Sequence, residues 1–196
     1  MPDSYPELQL DALRELANIG SGTAATALSS MLARPVDISV PAAHALPLAE
    51  VVDAVGTADA FVSAVVLPII GDLEAIALLL FTTEDASTLC TLLGVDVDSE
   101  VGRSALGEIG NILGTAYIGA LGMMTGLSLE PRPPQTMSDM LGAIVSSVLA
   151  IGATETDVAL LLDSELTVEG AECSLSFMLA PGSEGVAEIL GRLGIG

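Results

Sequence analysis

The strongest constraint on this chain is that it contains part of itself twice. Sliding the sequence by 93 residues lays 10–41 over 103–134 without a gap. Nine positions coincide: Ala12/Ala105, Leu13/Leu106, Glu15/Glu108, Asn18/Asn111, Ile19/Ile112, Ala27/Ala120, Leu28/Leu121, Met31/Met124 and Pro41/Pro134. Shared helix patterning accounts for the apolar ones. Glu and Asn are not core residues, so patterning does not account for their recurrence. A repeat of this kind decides architecture.

The first copy predicts a helix over about 11–33, with Leu13, Leu16, Ala17, Gly20, Ala24, Ala27, Leu28 and Met31 at helical spacing. Pro35 ends it, and VDISV predicts a strand running to Pro41. The second copy predicts a helix over about 98–126, striped by Leu106, Ile109, Leu113, Ala116, Ala120, Leu121 and Met124. SLEP reads as a short strand, and Pro131, Pro133 and Pro134 make the following segment an edge or loop. Between the copies, VVDAV, FVSAVVLPII and EAIALLLF are strand-like. TTEDASTLCTLLG reads as a short helix with Thr83 as N-cap and Gly94 just past its end. Beyond the second copy, SDMLGAIVSSVLAIGA predicts a helix, DVALLLDSELTV and ECSLSFMLA a hairpin turning at Glu169-Gly170, and SEGVAEILGRLG a closing helix. Each half thus reads helix, strands, helix, with no Ser/Gly/Pro linker between them. The expectation is one α+β domain over 1–196 with a pseudo-twofold internal repeat, its β-sheet flanked by two long helices. Two independent domains are the alternative.

Charge narrows the partners. The chain carries 26 Asp+Glu against 5 Lys+Arg, all five of them arginine, for a net charge of −21. Five scattered arginines cannot offset a phosphate backbone, which excludes nucleic acid as a main partner and disfavours anionic membranes. The acid excess without lysine reads either as a surface seeking a basic partner or, preferably, as the solvation device of a salt-loving microbe's protein. The N-terminal MPDSYPELQLDALRE lacks the basic and apolar regions of a signal peptide. The uncharged run 112–129 holds four Gly, two Thr and a Ser, which suits a helix–sheet core better than a membrane span. Cys90 and Cys173 have apolar neighbours and no CxxC spacing, so two reduced, buried thiols in a cytoplasmic protein are expected.

Opposite each apolar stripe lies the candidate chemistry. Asp11, Glu15, Asn18 and Gly22 follow at +4, +3 and +4 along one exposed ridge, and Ser104, Glu108, Asn111 and Thr115 repeat it. The pattern is Asp/Ser-x3-Glu-x2-Asn, then twenty-two residues, then Pro. No Ser, Cys or Thr stands beside a His, so there is no nucleophile–base pair. An exposed Glu is a poor general base at neutral pH. A carboxamide on a rigid helix can hold a water, which suits in-line attack on a phosphoryl group whose charge is neutralised elsewhere. Glu would then anchor a partner's Lys or Arg. His44 has no second ligand-type neighbour, and the GSG at Gly20–Gly22 lies inside a helix rather than after a strand, so neither a metal site nor a phosphate loop is expected. Glu84 and Asp85 read as first-turn charges, and Asp163, Glu165, Glu169 and Glu172 as solvated hairpin positions.

This doubled motif resembles the signature of the CheC/CheX/FliY family of chemotaxis phosphatases, most of all its CheC-type members. Both copies match it: Asp11, Glu15, Asn18, Pro41 and Ser104, Glu108, Asn111, Pro134. The resemblance implies hydrolysis of the aspartyl phosphate of the response regulator CheY, with Asn18 and Asn111 orienting water and Glu15 and Glu108 anchoring the regulator through a lysine. It implies no cofactor on this chain, the magnesium belonging to CheY. It also implies binding of the receptor deamidase CheD. An adaptor that binds CheD or phosphorylated CheY without turnover is the alternative. The absence of lysine and the acid load depart from the family's usual pattern and point to a requirement for high salt.

Overall fold

A computed structural model describes residues 7–152, 158–182 and 185–193. The expected N-terminal run before residue 7, and the expected helix ends at 153, 183–184 and 194, lie outside the described residues. The elements run α1 (Glu7–Leu32), β1 (Val36–Pro47), α2 (Leu48–Val55), β2 (Phe61–Gly71), β3 (Ala75–Thr82), α3 (Thr83–Leu92), α4 (Glu100–Thr125), β4 (Leu129–Pro131), β5 (Gln135–Met140), α5 (Leu141–Gly152), β6 (Val158–Val168), β7 (Ala171–Pro181) and α6 (Gly185–Arg192).

All seven strands join one antiparallel sheet in the order β1-β6-β7-β3-β2-β4, with β5 also on β2. The halves exchange strands. β1 of the first half pairs with β6 of the second, and β4 and β5 of the second pair with β2 of the first. β3 and β7 meet in the middle.

Both signature prolines mark the same irregularity. β1 gains one residue on β6 between Ser39 (opposite Glu165) and Ala42 (opposite Asp163), where Pro41 stands. The β4–β5 pair gains one residue on β2 between Pro131 (opposite Ile69) and Gln135 (opposite Val66), where Pro134 stands. A bulge on an outer strand is where a residue without an N–H costs no ladder hydrogen bond.

Side-chain alternation gives the sheet two apolar faces. One carries Val65, Leu67, Leu79, Phe81, Leu160, Leu162 and Phe177 against α1, α3, α4 and α6. The other carries Val62, Ala64, Val66, Leu78, Leu80 and Leu161 against α2 and α5. Burial on both faces is why β2 and β3 read as unbroken apolar runs.

α4 settles onto the sheet through glycines. A Cβ on Gly110 would stand 2.6–2.7 Å from the Val65 side chain, and one on Gly114 would stand 2.7 Å from Leu67 Cδ1. α1 approaches α4 the same way, because a Cβ on Gly20 would collide with the Tyr117 ring. Tyr117 is fully buried, shares a 2.8 Å hydrogen bond with Ser164 on β6, and tilts against Phe177 at 5.0 Å between centroids.

Several local expectations are corrected. VVDAV is helical: Leu48, Val51, Val52 and Val55 have helical spacing, and a five-residue apolar window does not separate that period from a strand's. Residues 138–140 end strand β5 instead of starting a helix, because pairing to β2 overrides their weak preference. Thr82, not Thr83, caps α3 by accepting from the Asp85 N–H at 3.1 Å, while the Thr83 hydroxyl donates to the Phe61 carbonyl. Ala27 is exposed, and Met31 and Met124 are half-buried, at the outer edge of their stripes. Asp163 is half-buried and accepts from the Ser176 hydroxyl at 2.9 Å. The hairpin does turn at Glu169 and Gly170, with φ of 50° and 86°.

Gly110→Ala is expected to cost about 1–3 kcal/mol, the usual toll of overpacking, and to lower the thermal midpoint by several degrees. A calorimetric scan against wild type checks it. Cys90 and Cys173 are free and buried. Burial, and then the Asp85 charge, push the Cys173 thiol up to about 11 from 9.0. The folded state thus favours the neutral thiol. Its contribution is full below pH 9 and is lost as pH rises toward 11. Denaturant midpoints are expected to fall over that range, and to fall less in Cys173→Ala.

Candidate active site

The two ridges stand on rigid supports. Ser99 caps α4, its hydroxyl accepting from the Gly102 N–H at 3.0 Å, and Gly126 closes the helix at φ 72°. The inner faces of α1 and α4 are buried, which turns the polar ridges outward. Asp11, Glu15, Asn18 and Gly22 are all exposed, and a Cβ on Gly22 would meet nothing within 4 Å. Ser104, Glu108 and Thr115 are exposed, and Asn111 is half-buried. Asp11 is drawn into a 3.0 Å ion pair with Arg14. The second ridge has Gly107 where the first has Arg14.

On the second ridge, distant parts of the signature converge. Ser104, Glu108 and Pro134 line one cavity of about 380 Å³, together with Glu100, Arg103, Gly107 and Thr136. The bulge at Pro134 explains the fixed spacing of the motif, since it brings the β4–β5 strand beneath the α4 ridge. Gly107 is what permits the contact, as its Cβ would lie 3.1 Å from Thr136 Cγ2. One turn on, Asn111 opens onto a groove of about 460 Å³ between the long helices, lined by Ile19, Thr23 and Ala27 of α1 and by Ile112, Ala116 and Met123 of α4. The first ridge presents Glu15 and Asn18 on the open flank of α1, and Asn18 is not part of that groove's lining. The structure thus gives two ridges rather than one combined site.

Sequence patterning passed over Glu100, Arg103 and Thr136. Arg103 directly precedes Ser104, but the repeat aligns it with Leu10, so identity between copies does not mark it. Thr136 belongs to β5, which the prolines before it concealed. His44 is exposed on β1. Among the described residues, no group of three His, Cys, Asp or Glu is placed to hold a metal ion, and no helix is long and apolar enough to cross a membrane. What the ridges can do chemically is present a carboxylate and, one turn later, a carboxamide at fixed spacing to a docked molecule.

The CheC-like family pattern matches residues 8–44, which hold the first ridge and its trailing proline. The CheY-P phosphatase CheC of Bacillus subtilis (strain 168) is 36% identical over 168 residues, an alignment covering 82% of this chain and 80% of that protein. This chain belongs to the CheC-like family. In the family's wider fold, the crystal structure of Thermotoga maritima FliY matches with a TM-score of 0.76 at 18% identity, covering 96% of this chain and 97% of that one. The CheX–CheY–BeF3–Mg2+ complex from Borrelia burgdorferi matches with a TM-score of 0.50 at 13% identity, covering 86% and 97%. At these identities the two structures establish the shared fold.

Proposed function

We propose that this chain is a chemotaxis phosphatase that hydrolyses the aspartyl phosphate of CheY. Two accessible carboxamides carry this reading: Asn18 is exposed and Asn111 half-buried, each one helical turn past an exposed glutamate. The family relative named as a CheY-P phosphatase supports the reaction and the partner. In our reading, Glu15 and Glu108 hold a lysine of the docked CheY. Asn18 and Asn111 each accept and donate hydrogen bonds to one water and aim it at phosphorus. CheY brings the phosphoryl group and its magnesium ion. Little is asked of this chain beyond geometry, and for phosphoryl transfer positioning is a large share of catalysis. CheD is proposed as a second partner on the family resemblance alone, and the cytoplasm as the setting.

Decay of phosphorylated CheY tests the proposal. Asn18→Ala and Asn111→Ala should each slow the catalysed decay, and the double variant should lose on the order of 10²-fold, with the thermal midpoint unchanged for the exposed Asn18 and little changed for the half-buried Asn111. A double variant as fast as wild type would leave only an adaptor role.

The charge makes a separate prediction. At a net −21, only three ion pairs form among the described residues. Salt shortens the reach of the remaining repulsion from about 10 Å at 0.1 M to about 3 Å at 1 M. The thermal midpoint should therefore rise by several degrees between 0.1 and 2 M NaCl. A flat midpoint would instead assign the acid excess to a basic partner.

A further inference from the structure

On the sheet face that carries α4, the β2–β5 ladder leads away from the Glu108 cavity. Val65 lies opposite Thr136, Ser63 opposite Ser138, and Phe61 opposite Met140. Alternation puts these three pairs on one side. Thr136 beneath Gly107 and Val65 beneath Gly110 fix that side as the one under α4. The Ser63 and Ser138 hydroxyls are 3.2 Å apart. At the far end Phe61 is 58% exposed and Met140 50%, whereas Phe81 and Phe177 are buried.

A cavity of about 440 Å³ lies along this strip, floored by Val65, Phe81 and Leu106 and rimmed by Phe61, Ser63 and Ser138. Arg103 and Thr136 line both this cavity and the Glu108 cavity, so the two depressions share a wall. Arg103 is held by a 2.6 Å hydrogen bond from Nη1 to the Asp98 carbonyl. Like Arg132, it has no carboxylate partner among the described residues, whereas Arg14, Arg34 and Arg192 each have one. Glu100 and Glu108 line the same cavity as Arg103 without forming an ion pair with it, so its remaining N–H groups can take a carboxylate brought from outside.

The four steps from Thr136 to Met140 span about 13 Å at strand rise. A standard interface takes about 800 Å² from each partner, a patch about 30 Å across. A domain seated over Glu108 and extending along the shared wall of Arg103 and Thr136 reaches Phe61 and Met140. We propose that Phe61, Met140 and Arg103 form the docking surface for phosphorylated CheY at the second ridge, with an apolar side chain of CheY entering the 440 Å³ cavity and an acidic group of CheY meeting Arg103. This rests on the phosphatase reading and adds to it where the partner grips.

The test uses the full chain carrying Asn18→Ala, so that turnover comes from the second ridge, with phosphorylated CheY as substrate. Phe61→Ser and Met140→Ser should each raise KM about tenfold, as loss of an interface anchor does, with kcat unchanged. Arg103→Gln should raise KM and flatten its dependence on salt. All three positions are exposed, and circular dichroism confirms folding. An unchanged KM overturns the proposal, as does a loss carried by kcat alone. A shift in oligomeric state by light scattering with KM unchanged also overturns it, and makes the strip a contact between copies. Failure of the phosphatase reading shows elsewhere, as wild-type rates in the double asparagine variant.

Discussion

Two long helices lie against one face of a single sheet and against each other, with only the clearance that glycine allows. Gly110 and Gly114 let α4 reach Val65 and Leu67, and Gly20 lets α1 reach Tyr117. From that contact follows the rest. The centres of the inner stripes are buried, which resists rolling of either helix, so the outer ridges hold their polar side chains at fixed heights. Tyr117 ties the assembly down further by reaching β6 through Ser164. The proposed chemistry, which is mostly placement, would need supports of this kind, since a misplacement of about 1 Å can cost 10²-fold.

The electrostatics work on a different scale. The chain's 26 acidic residues mostly face solvent, and their repulsion is long-ranged at low salt. Arg103, with no ion pair among the described residues, is a single cation beside Glu100 and Glu108 in a negative surface. In the docking proposed above, such a cation would orient an approaching acidic group while the surrounding field discouraged contact elsewhere.

Much of this was legible in the sequence. Both long helices, strands β2 and β3, the β6–β7 hairpin and the Glu–Asn ridges all follow from period, turn chemistry and self-similarity. VVDAV was not legible, because a five-residue valine-rich run carries no decisive period, and only its packing beside α5 makes it a helix. β5 was hidden by three prolines that break a strand without ending the sheet. The same repeat could have revealed it, since residues 135–140 align with the second stretch of β1. The convergence of Pro134 with Ser104 and Glu108 could not be read at all. It depends on a one-residue bulge, which sequence does not announce, and on a long-range pairing with β2.

The exchange of strands between the halves has a mechanical consequence. Neither half is self-sufficient: cut apart, each hairpin would present an open outer edge, and each first strand would lie stranded without its ladder. A lone half could satisfy both only by borrowing from a twin. The covalent chain thus ties its two segments into one ladder, and because each ridge stands on its own helix, either can change its side chains without altering the pairing that holds both.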